Sequence, residues 1–233
     1  MDATGASVTS REAARAARSK RGSRRQNRCV MVLPPAAELA GKRVLDLECR
    51  GGLGAFKIAE LTGEAGSVVG LDRSASHIEK AIARAPEQHW AGDNWSRYLR
   101  LAVASPDDLR AAGIRDASID IVIVNSVLNV LPSRLAALRE MVRVLAPGGY
   151  LYLDAVLAGG VPAISPELAT RCAREGNVFG AAPTREALGA DLRAAGFKRF
   201  TCSSALPVRP ERDDADLALR PYSFEAALVQ AWV

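Results

Sequence analysis

Residues 119–124, Ile-Asp-Ile-Val-Ile-Val, are a nearly unbroken run of β-branched side chains. A strand that is apolar on both sides needs cover on both sides, which is the setting of a parallel sheet flanked by helices. The chain around it keeps the matching rhythm. From residue 41 onward, strand-like and helix-like segments alternate as β-α-β-α-β-α-β-α-β, and this order implies a parallel sheet with helices on both faces. Strands are expected at residues 42–47, 67–72, 98–103, 119–124 and 150–153. The spacing of Leu53, Phe56, Ile58 and Leu61 predicts a helix after the first strand. Ser74 is placed to cap a second helix through Ile78 and Ile82 to Arg84, and residues 86–94 read as loop. A third helix opens at Pro132, carries Leu135, Leu138, Met141, Val142 and Leu145, and stops at Pro147-Gly148-Gly149. Beyond the fifth strand, Ser165-Pro166 opens a short helix and Thr184 caps another that ends at Gly196. Residues 197–203 and 223–232 read as closing strands, with a charged loop at 207–220 between them.

Composition narrows the setting. In 233 residues, 48% are apolar and 24% charged, which suits a single soluble domain. No run of eighteen apolar residues exists, so a membrane span is not expected. No apolar signal region is visible at the N-terminus. Four cysteines, none in a C-x-x-C pair, argue against a disulfide scaffold or a zinc ribbon and point to a reducing cytosol. Two histidines, His77 and His89, cannot build a histidine-rich metal site, so no metal is expected. The charge is uneven. Residues 1–28 hold eight Lys/Arg against Asp2 and Glu12, whereas the rest of the chain is close to neutral. The expected organisation is therefore a basic tail, residues 1–30, and a domain, residues 31–233. A solvated, disordered extension is the plain reading of the tail. A contact with nucleic acid or an acidic partner is the other, although the tail has no aromatic residues to stack on bases. The tail also resembles an organelle transit peptide, and Met31 could serve as a start.

Four segments, in order, carry a resemblance. They are Val44-Leu45-Asp46-Leu47, Val68-Val69-Gly70-Leu71-Asp72, residues 120–125, and Arg143-Val144-Leu145-Ala146-Pro147-Gly148-Gly149. Together they resemble the motifs of class I S-adenosylmethionine methyltransferases over about residues 41–157. The resemblance implies a Rossmann-like fold, a mostly parallel seven-stranded sheet with helices on both faces. It also implies S-adenosylmethionine as cofactor and a small-molecule methyl acceptor as partner. The cofactor would lie along the C-terminal edge of the sheet, at the switch point between strands one and four. Asp72, ending strand two, would accept from the ribose hydroxyls, with Arg73 beside it. Ser105, Pro106 and Asp107, with Asp108, would line the adenine side. Asp46, Cys49, Gly51, Gly52 and Asn125 would complete the cofactor contacts. For Asp107 and Asp108 the alternative is a place in the first turn of a helix, near its dipole.

The family's loop after strand one reads D-L-G-x-G-x-G, and this chain departs from it. Here the loop is Asp46-Leu47-Glu48-Cys49-Arg50-Gly51-Gly52, so Glu48 and Arg50 stand at two glycine positions. Three arrangements are open: Glu48 pairs with Arg50 and fills the site, Arg50 swings out to grip the cofactor's carboxylate, or the pocket is tailored to a different ligand. A narrower resemblance, over about residues 28–200, is to arsenite methyltransferases. It rests on residues 125–132, on Arg28-Cys29 through Leu33-Pro34, and on residues 175–182. That resemblance implies a thiolate site for arsenic. Cys29 matches the first of three cysteines, whereas Val178 and Phe224 stand at the other two, with Cys172 near enough to substitute. Asn125 and Asn129 would face the sulfonium side of the cofactor. Three functions stay open: an arsenite methyltransferase, a small-molecule methyltransferase without arsenic activity, and a non-catalytic binding relative.

Overall fold

The computed structural model describes residues 31–88, 92–203, 206–210 and 217–233. The basic tail with Cys29, and His89, lie outside the described residues. The strands are β1 (Arg43–Leu47), β2 (Ser67–Asp72), β3 (Leu99–Val103), β4 (Ile119–Asn125), β5 (Leu145–Ala158), β6 (Arg199–Cys202), β7 (Leu206–Val208) and β8 (Phe224–Trp232). They form one sheet in the order β3-β2-β1-β4-β5-β8-β6, and β7 pairs with β8 off this path. The first five strands are mutually parallel, whereas β8 runs antiparallel to β5, β6 and β7. The eighth strand arises because three residues, Leu206–Val208, rejoin the edge of β8 beyond β6.

The helices are α1 (Ala36–Leu39), α2 (Leu53–Thr62), α3 (Ala75–Arg84), α4 (Arg134–Val144), α5 (Pro166–Arg174) and α6 (Arg185–Ala195). Alternation along the strands sends successive side chains to opposite faces. Leu45, Val122, Val124, Leu151 and Leu153 pack against Leu138 and Met141 of α4 and Leu188 and Leu192 of α6. Val44, Ile121, Ile123 and Tyr152 pack on the other face against Leu39, Phe56, Ile58 and Ile78. The β-branched run thus sits at the centre of the sheet, covered on both sides as its composition requires. Among the described residues, no helix is long and apolar enough to cross a membrane.

Three local expectations need correction. No helix joins β3 to β4: residues 104–118 form turns instead. Pro106 and Gly113, the latter at φ +72°, punctuate a segment too short to recover from either. The segment is pinned instead by Arg143, which donates to Glu140, to Asp116 and to the Ile114 carbonyl, while Glu140 accepts from the Leu109 N–H. Ser74 occupies the N-cap position of α3, yet its hydroxyl bonds the Ser76 hydroxyl rather than a main-chain N–H of the helix. Finally, Leu145 already belongs to β5. The strand is fourteen residues long, and Ala146-Pro147-Gly148-Gly149 bulges out of register between Leu145 and Tyr150. Gly149 is required there, because a Cβ would lie 2.8 Å from the Asp120 carbonyl oxygen.

Candidate functional site

The loop after β1 keeps a glycine-type backbone without the glycines. Glu48 lies at φ 58° and Arg50 at φ 51°, both left-handed. An L-residue in that region costs about 1–2 kcal/mol, so the loop path is imposed by its surroundings. Gly52, at φ +79°, shows why: a Cβ would lie 2.8 Å from the Ala81 Cβ and 2.9 Å from the Phe56 ring. Gly51 is less constrained. Its carbonyl accepts from Arg84, and a Cβ would meet only that flexible guanidinium.

Glu48 forms an ion pair with Arg73. Glu48 accepts from Arg73 Nε at 2.8 Å, which draws the carboxylate toward the start of the turn after β2. Arg50 contributes its main chain: its N–H donates to Asp72 Oδ2 at 2.8 Å. Asp72 is 1% exposed. Its Oδ1 also accepts from the Ser74 N–H at 2.8 Å and lies 3.0 Å from His77 Nδ1. Arg73 therefore touches Glu48, and His77, a residue whose partner the sequence does not reveal, touches Asp72. Cys49 donates its N–H to the Leu71 carbonyl, and its thiol is buried beside Gly70; burial pushes that thiol far up, which makes it unreactive.

Asp46 lies on the same face of the sheet as Val44. It is buried, and its Oδ2 has no hydrogen-bond partner among the described residues. Burial, with the nearby Asp72 charge adding to it, pushes the carboxyl up to about 7. A Cβ on Gly54 would lie 3.1 Å from that oxygen and 2.9 Å from Met31 Sδ. Glycine at 54 therefore leaves the oxygen approachable. The N-terminal strap is tied down nearby: the Val32 N–H donates to Asn125 Oδ1 at 2.9 Å, and Tyr152 donates its hydroxyl to the Leu33 carbonyl at 2.9 Å.

The ends of β4 and β5 carry a second polar group. Asn125 is in register with Asp154, and Ser126, at φ 57°, donates its hydroxyl to Asp154 and its N–H to the Asp154 carbonyl. Burial holds the Asp154 carboxyl above the usual carboxylate range, against the pull of the Ser126 hydroxyl. Neither residue stood out in the sequence, although a lone acid within residues 150–158 was a usable signal. Asn129 is buried, and its amide donates to the Val156 and Val178 carbonyls. Val178 and Phe224, matched to two arsenic-binding cysteines, lie in one apolar cluster with Val156, Cys172, Phe179 and Leu219. Cys172 is buried there, where a Cβ on Gly180 would overlap its sulfur. Cys202 lies apart on β6, at the far edge of the sheet, and Cys49 sits at β1. The structure thus brings Val178 and Phe224, the two matched positions that it describes, into one apolar cluster with Cys172, the thiol placed to substitute.

On the β3 side, Ser105 donates its hydroxyl to Asp107, the Asp108 carboxylate accepts from the Ala111 N–H, and Pro106 is buried. These residues cap a turn beyond β3, next to the β2 end through the Ala104 N–H to Asp72 carbonyl bond.

These residues fit an adenosyl amino acid. A buried, unpartnered carboxylate oxygen beside glycines suits an ammonium group. An acid ending β2, twenty residues beyond Gly52, suits a ribose diol. Glu48, turned toward Arg73, leaves the glycine-type path of the loop intact.

Comparison with known proteins agrees. Residues 38–182 match the methyltransferase-domain family. The arsenite methyltransferase of Aquipseudomonas alcaligenes is 35% identical over 130 residues, 56% of this chain and 36% of that protein. The demethylmenaquinone methyltransferase of Lactococcus lactis is 35% identical over 112 residues, 48% of this chain and 41% of that protein. The alignments span about a third of the length of the arsenite methyltransferases from bacteria and mammals. Among solved structures, an arsenic(III) S-adenosylmethionine methyltransferase from Chlamydomonas reinhardtii superposes with a TM-score of 0.76. It is 25% identical, and the match covers 86% of this chain and 66% of that one. The strand order with its antiparallel β8, the acids at the C-terminal ends of β1 (Asp46, next to last) and β2 (Asp72, last), and the matched span lead to one conclusion: the chain belongs to the methyltransferase-domain family, is class I in topology, and has arsenite methyltransferases among its relatives.

Proposed function

We propose that this chain is an S-adenosylmethionine-dependent methyltransferase whose acceptor is a small molecule with an apolar body and an acidic O–H, rather than trivalent arsenic. The observation that carries the acceptor reading is the cluster of Val178, Phe224 and Cys172. Arsenic is a soft centre that binds thiolates. One buried thiol between a valine and a phenylalanine suits an apolar ring better than a metalloid. Similarity to quinone methyltransferases, at 34–35% identity over about half the chain, supports the same class of acceptor.

When bound, S-adenosylmethionine supplies an electrophilic methyl group on a sulfonium. Asp46 Oδ2 would hold its ammonium, Asp72 its ribose, and the turn of Ser105, Pro106 and Asp107 its adenine side. Gly51 and Gly52 give the loop its close approach. Asp154 Oδ1 would take the acceptor's proton, with Ser126 fixing the carboxylate from the other oxygen. A carboxyl held above its usual range is a better base for a weak acid than an ordinary carboxylate. The strap from Met31 to Leu33, tied to Asn125 and Tyr152, would exclude water from this side.

The test is methyl transfer from labelled S-adenosylmethionine to arsenite and, separately, to a reduced demethylmenaquinone. Label in the quinol, lowered by about 100-fold in Asp154→Asn, is the expected result. Label in arsenite, abolished by Cys172→Ser, would instead establish the arsenic reading.

A further inference from the structure

The accepting capacity of Asp72 is nearly used up by the protein itself. A carboxylate accepts along about four directions. Among the described residues three are taken, by the Arg50 N–H, the Ser74 N–H and His77 Nδ1. Because a carboxylate only accepts, Nδ1 is the protonated nitrogen of this imidazole. The acid is also buried, so water does not supply further slack. A ribose diol brings two O–H donors to the acid at this point of such a fold. Two donors meet one remaining direction, so one of the protein's donors has to leave.

The three donors differ in how easily they go. The Arg50 N–H belongs to a loop anchored by the Cys49 N–H on Leu71 and the Gly52 N–H on Cys49. The Ser74 N–H belongs to a residue whose carbonyl already accepts from His77 and Ile78 in the first turn of α3. Both are main-chain groups, and moving either disturbs the loop or the helix. The His77 ring is a side chain, 42% exposed, and swings free by rotating about its own bonds. We infer that His77 is a positioning residue of the ribose subsite: its ring holds the Asp72 carboxylate until the ligand's diol displaces it. This rests on the S-adenosylmethionine reading given above. The imidazole keeps the acid paired and aimed when no sugar is present, and it weakens binding of any ligand that needs both hydroxyls.

The experiment is titration calorimetry with two probes, S-adenosylhomocysteine and its analogue lacking the 2′-hydroxyl. A ligand with one hydroxyl fits the remaining direction and leaves His77 in place. In the wild-type chain the two probes should therefore bind within about threefold of each other, a comparison that needs no variant to fold. His77→Ala should bind S-adenosylhomocysteine about tenfold more tightly and the analogue unchanged. His77→Gln, which retains an N–H donor, should restore the wild-type pattern. If His77→Ala gains nothing, or gains equally on both probes, the inference falls while the cofactor reading stands. If neither probe binds the folded wild-type chain or the folded variants, the cofactor reading falls and this inference with it.

Discussion

Asp46 has a pKa shift that falls within the working pH range. Its folded-state value of about 7 lies above the ordinary 3.8 of an unfolded chain. Between these values the unfolded chain has released a proton that the native state keeps. This group's own contribution to stability is therefore fully present below about pH 4, falls as pH rises to about 7, and levels off above, a loss on the order of a few kcal/mol. Urea titrations at a series of pH values should show the wild type losing stability relative to Asp46→Asn across that range. An ammonium ligand favours the charged form, so binding of S-adenosylhomocysteine should tighten between pH 6 and 8 in the wild type and stay flat in the variant. Backbone strain gives a separate prediction. Ala117 is exposed at φ 51°. Ala117→Gly should raise stability by about 0.5 kcal/mol, the left-handed cost removed less the entropy that glycine adds to the unfolded chain. A measured loss would mean that Ala117 makes a packing contribution beyond its backbone. Asp46, Asp72 and Asn125 could be singled out from the sequence because Asp72 and Asn125 end their strands and Asp46 lies one residue before the end of β1, each in a recognisable pattern. His77 and Asp154 were not, because their meaning depends on which donors the topology brings to them.

At the scale of elements, the β3–β4 connection shows what propensity misses. The alternating pattern asked for a helix, and Pro106 with Gly113 denied one. What replaced it is a set of turns fastened to α4 through Arg143, whose guanidinium is held well above its usual range by the Glu140 carboxylate and then by Asp116. Arg143→Met keeps the packing of the stem and removes every one of those bonds. It should cost about 2 kcal/mol, because Glu140 and the Ile114 carbonyl lose charge-assisted partners. Hydrogen exchange should place the extra opening in residues 104–118; uniform loss of protection across the sheet would contradict a local clamp. Helix starts were read well where the cap is a true side-chain acceptor, as with Ser165 on the Leu168 N–H and Thr184 on the Ala187 N–H. The start at Ser74 was read in the right place for the wrong reason, since Asp72 and not the helix claims the surrounding donors.

For the whole molecule, the apolar rhythm dictated the parallel half of the sheet and the two closing strands, whereas the antiparallel direction of β8 is seen only in the fold. The apolar cluster proposed to receive the acceptor was the least legible part. Cys172, Val178 and Phe224 are scattered over fifty residues of sequence and meet only in the folded chain. Ligand binding acts on the same whole. Saturating S-adenosylhomocysteine, at a hundred times its dissociation constant, should stabilise the domain by about 2.7 kcal/mol. That corresponds to a melting shift of roughly 5–10 °C, and the absence of any shift would argue for a non-catalytic relative. The position of β8 has a consequence for biosynthesis. This strand lies between β5 and β6, yet its residues, Phe224–Trp232, are made last of all those in the sheet. While the ribosome is still adding them, the fourteen-residue β5 presents an open, largely apolar edge with nothing to zip against. Nascent chains halted before residue 224 should therefore be captured by chaperones and cut by proteases within β5, and both should cease once residue 232 has emerged.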